Sequence, residues 1–386
     1  MKKEIAEIQD VGADGVSSGV LSEESPSFQD PFDPASISIE TKIISMDALI
    51  RRLRQKTIRL APNFQRGFVW DQKRQGRLIE SLMLRIPLPM FYVSADVDGN
   101  WDVVDGLQRL TTIRNFVLGP VDGSKSLELA GLEFWGNRFN GETFDSINSH
   151  TENSRIINNI METEMRFTVI NPKTPEEVKF NVFKRINTGG MPLTNQEIRH
   201  ALYQGRSTKI LSDLVVSEEF SAATDNSIDD SRMAGRELIT RFFAFTLNSW
   251  KTYTGDMDGT LSETLKKLNA LGEDEHKVLE KRFKKSMSRT YKLFNNHSFR
   301  KSVETMRRTP VNKALFDVWG NVLADLTPAK FNVLLKEKSL LIKKYEKLLK
   351  TDDFERAISR DATSQSGVTG RFTLVNNLVE DILDEL

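Results

Sequence analysis

Between residues 101 and 119 the period of the hydrophobic pattern changes within a few positions. Trp101 to Val104 reads as a short strand, Asp105-Gly106 as a sharp turn, and the next residues as a helix ending at Gly119-Pro120. A strand that runs through a glycine into a helix start leaves free backbone N–H groups and the positive end of the helix dipole at one spot. Such a spot favours phosphate. Gln108 and Arg109 stand there, and both side chains suit phosphate or base edges. An ordinary strand-turn-helix corner with a capping Asp fits the same local pattern.

The rest of the pattern surrounds this corner with mixed elements. Order is expected from Ile39. Ser45 reads as the N-cap of a helix whose second half is basic (Arg51, Arg52, Arg54, then Lys56 and Arg59), and Pro62 stops it. Phe64, Phe68 and Trp70 flank Gln65-Arg66-Gly67 in a loop, suited to stacking on a base or to fixing the loop on a core. Asp71 caps a helix over 72–84, with Leu78, Ile79, Leu82 and Met83 on one face. A strand from Met90 to Ala95 and a turn at Asp98-Gly99-Asn100 make a hairpin with Trp101–Val104. Residues 120–165 predict only a short strand pair or loop, and Met165 to Asn171 a strand. A helix opens at Pro175. After Asn187-Thr188-Gly189-Gly190, Thr194 with Glu197 forms a capping box. From 206 onward the spacing is helical, near 208–218, 232–250, 260–271, 273–296, 311–324, 328–350 and 374–385. Leu238, Ile239, Phe242, Phe243 and Phe245 read as a buried stripe. The expected class is α+β, a small mixed sheet-helix domain followed by a mostly α-helical one.

Composition narrows the classes. A chain of 386 residues with 39% hydrophobic and 28% charged residues has room for two or three globular domains. No apolar run is long enough to span a membrane, and the N-terminus lacks the apolar core of a secretory signal. The absence of cysteine excludes disulfides and thiolate chemistry, and suits a reducing cytoplasm. The formal net charge is zero, yet residues 1–38 hold two lysines against eight carboxylates, a net of −6. That leader has too few large apolar residues to fold alone and is expected to be disordered. The remainder, at +6, is compatible with a polyanion partner or with a solvated surface.

Several chemistries lack their motifs. There is no phosphate-binding loop of the G-x-x-x-x-G-K-[ST] type and no G-x-S-x-G elbow. His150, His200, His276 and His297 show no zinc-ligand spacing, and His276 is expected on a solvent face. What remains is a set of polar groups on loops beside helix starts: Gln65 and Arg66, Asp105, Gln108 and Arg109, and Asn187 with Thr188. These suit phosphate positioning, with Asp105 available for Mg²⁺ or water. For the Thr188-Gly189-Gly190 stretch a plain two-glycine connector is the simpler reading.

At this point the chain resembles a family. Asn63-Phe-Gln-Arg-Gly-Phe-Val-Trp, Ile86-Pro-Leu-Pro, Val104-Asp-Gly-Leu-Gln-Arg-Leu-Thr-Thr-Ile and Phe183-Lys-Arg-Ile-Asn-Thr-Gly-Gly-Met-Pro-Leu-Thr-Asn-Gln-Glu-Ile-Arg occur in its order. Together they look like the N-terminal domain of GmrSD-type modification-dependent restriction proteins, in the ParB/sulfiredoxin-like superfamily. The family signature is Asp-Gly-Gln-Gln-Arg. Here Asp105, Gly106, Gln108 and Arg109 match while Leu107 replaces the first glutamine, an apolar residue suited to facing the core. The resemblance implies nucleotide binding, often hydrolysis, coupled to action on phage or modified DNA. It implies an NTP and Mg²⁺ as cofactors, with DNA and a separate nuclease or defence protein as partners. A second copy of the chain is left open, and no membrane is implied. Arg66 and Arg109 then grip phosphates, Gln108 orients water or base, and Asp105 holds Mg²⁺ or caps the helix; Gln65, Gly106, Asn187 and Thr188 complete the pocket. Neither His276-Lys-Val nor His297-Ser-Phe matches an HNH nuclease context, so cutting by that route is not expected. Two rival expectations stand beside the switch: a DNA nuclease using the same pocket, and a DNA- or partner-binding module without catalysis. The expected boundaries are a leader over 1–38, a nucleotide-binding domain over 39–205 and a helical domain over 206–386.

Overall fold

A computed structural model of the chain describes residues 6–7, 17–21, 38–60, 70–120, 123, 125–186, 193–303 and 307–384. It divides into two compact units. One, the sheet unit, comprises Asp30–Leu193 and Ile198–Leu202; the other, the helical unit, comprises Met1–Gln29, Thr194–Glu197 and Tyr203–Leu386. The class is α+β, as the sequence predicts.

The sheet unit is built from β1 (Ile39–Ser45), β2 (Ile58–Arg59), β3 (Phe91–Ala95), β4 (Trp101–Asp105) and β5 (Glu164–Ile170), in the order β1-β5-β3-β4-β2. β1 runs antiparallel to β5, β5 parallel to β3, β3 antiparallel to β4, and β4 parallel to β2. The hairpin falls where expected, with Asp96 N–H donating to Asn100 carbonyl at 2.9 Å and Gly99 at φ +79°. Helices α1 (Met46–Arg54), α2 (Gln72–Met83), α3 (Leu107–Leu118) and α4 (Ser154–Met161) supply the apolar face that meets the sheet. Their caps follow the sequence: Ser45 Oγ accepts from Ala48 N–H at 3.3 Å, and Asp71 Oδ1 from Arg74 N–H at 2.7 Å. The core stacks Phe91 on Phe167 at 5.1 Å between ring centres and sets Trp101 5.2 Å from Phe167. Each such fully buried aromatic stabilises by about 1.5–3 kcal/mol, which locks β3, β4 and β5 together.

Two features depart from the pattern. β1 carries no clean alternation, because it is an edge strand with Ile39 and Ile43 left exposed. Residues 120–165, expected as strands or loop, contain helices Gly136–Phe139, Phe144–Asn148 and α4 instead. The buried carboxylate of Glu80 organises this stretch by accepting the N–H groups of Glu133, Phe134 and Trp135 at 2.9, 2.8 and 2.9 Å. Burial pushes the Glu80 pKa up, but these three donors and Arg77 outweigh it and hold the group below its ordinary value.

In the helical unit, α5 (Ala234–Leu247) buries Leu238, Ile239, Phe242, Phe243 and Phe245, as the stripe predicts. It packs beside α6 (Met257–Ala270) and α8 (Lys313–Asp325) and meets α7 (Glu273–Phe294) where Phe242 lies 5.1 Å from Phe283 between ring centres. The apolar run at 328–350 is two helices, α9 (Pro328–Lys336) and α10 (Lys338–Leu349), because the chain turns at Glu337. The last described helix, α11, starts at Gln365, earlier than the spacing suggests. Within the leader, Ala6–Glu7 pairs parallel with Arg307–Arg308, and buried Val20 bridges Val311. Those pieces take their order from the helical unit and not from a core of their own. The Thr194 box is reciprocal: Glu197 N–H donates to Thr194 Oγ1 at 3.1 Å, and Thr194 N–H to Glu197 Oε2 at 2.6 Å. Among the described residues no helix is long and apolar enough to cross a membrane.

Candidate functional site

The corner between β4 and α3 is shaped by its glycine. Gly106 lies at φ +92°, and a Cβ there would sit 2.3 Å from the Phe91 ring. Only glycine meets both conditions. Just before it the register between β3 and β4 shifts, with Val93 opposite Val103 but Tyr92 opposite Asp105. This bulge at Val104 re-aims the end of β4. Gly106 is the N-cap of α3, and no side chain caps the helix. The first-turn N–H groups have no intrahelical acceptors, and among the described residues no side chain covers the positive end of α3.

Asp105 does not act as that cap. Its Oδ2 accepts from Arg109 Nη2 at 3.0 Å, across one helical turn. Arg109 is tied down further: Nη1 donates to the Pro89 carbonyl and Nη2 to the Met90 carbonyl at 3.2 Å, and the guanidinium lies 4.3 Å from the Phe91 ring centre. The side chain is only 12% exposed, against 43% for Asp105, so the carboxylate is the open member of the pair. Burial pulls the Arg109 pKa down, and Asp105 opposes the shift. Arg109 therefore stays charged and fastens the entry of β3 to the start of α3. By residue type Arg109 stands out as a ligand group while its partners Pro89, Met90 and Phe91 do not, because carbonyls and ring faces leave no signal in residue type.

Gln108 presents a different situation. Its Oε1 is buried and has no hydrogen-bond donor among the described residues. Leu107, the departure from the family signature, is partly buried against the sheet-unit core, as an apolar residue in that turn should be. Gln65, Arg66, Asn187 and Thr188 lie outside the described residues, as do Phe64, Phe68 and the Thr188-Gly189-Gly190 stretch. The structure thus brings Asp105, Gly106, Gln108 and Arg109 together on one corner.

Much of the basic run after Ser45 is engaged inside the fold. Arg52 Nη2 donates to the Gly99 carbonyl at 3.0 Å with its guanidinium 3.9 Å from the Trp101 ring centre. Arg59 holds Asp102 through two bonds of 2.7 Å and Asp96 through one of 2.9 Å, and the Asp102 bonds raise its pKa. The histidines serve locally as well. His276, expected on a solvent face, is half-buried with Nε2 2.7 Å from the Leu268 carbonyl. Among the described residues no group of three or more His, Asp or Glu could hold a metal alone. Asp105 fits Mg²⁺ only in the way that ion is commonly bound beside nucleotides, by one or two carboxylates plus substrate phosphates and water. A bare helix start, an open carboxylate and an unmet amide acceptor can together receive a phosphate chain and orient a donor beside it.

Comparison with known proteins bears on this corner. Residues 49–204 match the family described as GmrSD restriction endonuclease, N-terminal domain. The matched segment contains the β4–α3 corner whole. No curated protein and no solved structure matches the chain.

Proposed function

We propose that this GmrSD-type N-terminal domain binds a nucleoside triphosphate with Mg²⁺ at the start of α3 and hydrolyses it. The chain then works as a nucleotide-dependent switch acting with DNA in restriction-type defence. The observation that carries the reading is the Gln108 amide oxygen, buried without a donor beside an uncapped helix start. An unmet buried acceptor destabilises by about 1–3 kcal/mol, and a bound ligand that donates to it recovers that amount. In this reading Gln108 orients the attacking water or a base edge, and Asp105 offers its open carboxylate to Mg²⁺. Gly106 leaves room for phosphate to approach the backbone. Arg109 contributes through position: it sets Asp105 and adds fixed positive charge behind the phosphates. Arg66 supplies the phosphate-gripping charge, with Gln65, Asn187 and Thr188 as further contacts; these four rest on motif order alone.

The test is a panel of the four NTPs with Mg²⁺, read by calorimetry and phosphate release, on the full chain and on Gln108→Met. The substitution conserves volume and removes only the amide. Turnover is expected to fall by about 10²-fold or more, the usual scale for losing a group that orients a proton transfer, with the unfolding midpoint retained. If the unaltered chain neither binds nor hydrolyses any of the four, the reading is wrong.

A further inference from the structure

The neutral chain conceals a strong charge division within the helical unit. Residues 277–350 hold 19 lysines and arginines against six acids, so the rest holds 35 basic and 48 acidic residues. The excess is sharpest on α7, where 277–292 carries seven basic residues and only Glu280 as an acid. The two arginines of this run turn inward. Arg289 donates to the Leu323 carbonyl at 2.6 Å and the Leu326 carbonyl at 2.8 Å, closing the C-terminal end of α8, and Arg282 pairs with Asp325. The lysines do not. Lys281, Lys285 and Lys292 are exposed and Lys284 half-exposed, and none of the four pairs with a carboxylate among the described residues. At 100° per residue the four fall on one face of α7, opposite buried Leu279, Phe283 and Met287. An ordinary solvated helix face mixes both signs at spacings of three and four; here only Lys284 has such an acid, Glu280, while Lys281, Lys285 and Lys292 have none. Lys285 shows the effect of crowding: burial lowers its pKa first, and the neighbouring Arg289 and Arg282 lower it further, against a smaller opposing pull from Asp325.

We infer that the face of α7 carrying Lys281, Lys284, Lys285 and Lys292 binds the phosphate backbone of double-stranded DNA without reading its sequence. The stripe is linear and about 16 Å long at 1.5 Å per residue, a length over which duplex DNA presents roughly nine phosphate charges. Lysines are hydrated point charges suited to phosphate contacts that position rather than specify. A lipid surface is the poorer match, because membrane-lying helices set a broad apolar face against the charged one. Here the buried face is spent on the unit's own core, which leaves only Val278 and Tyr291 as exposed large apolar or aromatic residues on α7. The inference gives the DNA of the proposed function a place, yet it stands on the helical unit and needs no nucleotide.

The experiment is fluorescence anisotropy of a labelled duplex with the full chain, without nucleotide, from about 50 to 200 mM salt. Four lysine–phosphate contacts predict a slope of log affinity on log salt near −3 to −4. K281E/K285E/K292E should weaken binding more than about tenfold and reduce the slope by about three, one per lysine. K281Q/K285Q/K292Q gives the same ordering should charge reversal disturb the helix. The same charge change placed on α10 and its C-cap residue, as K343E/K347E/K350E, should have the smaller effect. The inference is overturned if the α7 variants bind as the unaltered chain does, if the α10 variant loses as much, or if polyglutamate or anionic vesicles bind as tightly as the duplex. Loss of DNA binding with nucleotide turnover intact separates this surface from the nucleotide corner.

Discussion

Each unit sets an aspartate against arginine, and the two settings are opposite in kind. In the helical unit the Asp317 carboxylate is fully buried and receives Arg241 through bonds of 3.0 and 2.7 Å and Arg371 through one of 2.9 Å. Arg371 also donates to the Ala362 carbonyl at 2.5 Å, so the cluster pins α11 to α5 and α8. At the β4–α3 corner the arginine is equally tied down, yet Asp105 keeps 43% of its side chain exposed, and among the described residues the helix has no side-chain cap and Gln108 Oε1 no donor. One arrangement spends its hydrogen-bonding capacity on the fold. The other holds capacity in reserve at the same place where it fixes its geometry, which is the physical difference between a fastening and a site.

Substitutions can break that contrast, beginning with the largest effect. Asp317→Ala leaves two guanidinium groups buried without their carboxylate and should destabilise the helical unit by about 3–5 kcal/mol, read by chemical denaturation. A loss below about 1 kcal/mol would mean the cluster fastens nothing. Gly106→Ala forces a side chain into the left-handed region and against Phe91, for a loss of about 1–3 kcal/mol. Nucleotide binding should weaken along with it, since β3, Arg109 and α3 all meet there; binding that survives the strain would detach the corner from function. Gln108→Met should move stability least and in the other direction, by a gain of about 1 kcal/mol without nucleotide, because it removes an unmet acceptor. A clear loss of stability in that variant would show that the amide serves the fold, and the reserve at this corner would vanish.

The elements that the sequence makes legible are those decided within one or two helical turns. Ser45, Asp71 and the Thr194–Glu197 box announce helix starts through short-range bonds between neighbouring residues. The Trp101–Gly119 stretch shows its strand, glycine and helix because each imposes its own period or φ. Leu107 is read correctly as core-facing for the same reason. Nothing comparable marks the break at Glu337, where the apolar spacing continues undisturbed, nor the edge strand β1, whose one-sided pairing erases the alternation.

Long-range partners are where pattern stops. Glu80 reads as one more polar helix residue, and only the folded chain brings three amides some 53 to 55 positions away onto its carboxylate. Arg109 reads as a free phosphate ligand, and only packing against Pro89, Met90 and Phe91 turns it into a clamp. The sequence by itself determined the α+β class, the helix caps and the position of the glycine corner, because local sterics and hydrogen bonds act between near neighbours. Tertiary structure alone decided which charged side chains are consumed and which stay open, since that depends on groups that meet only when the chain closes on itself.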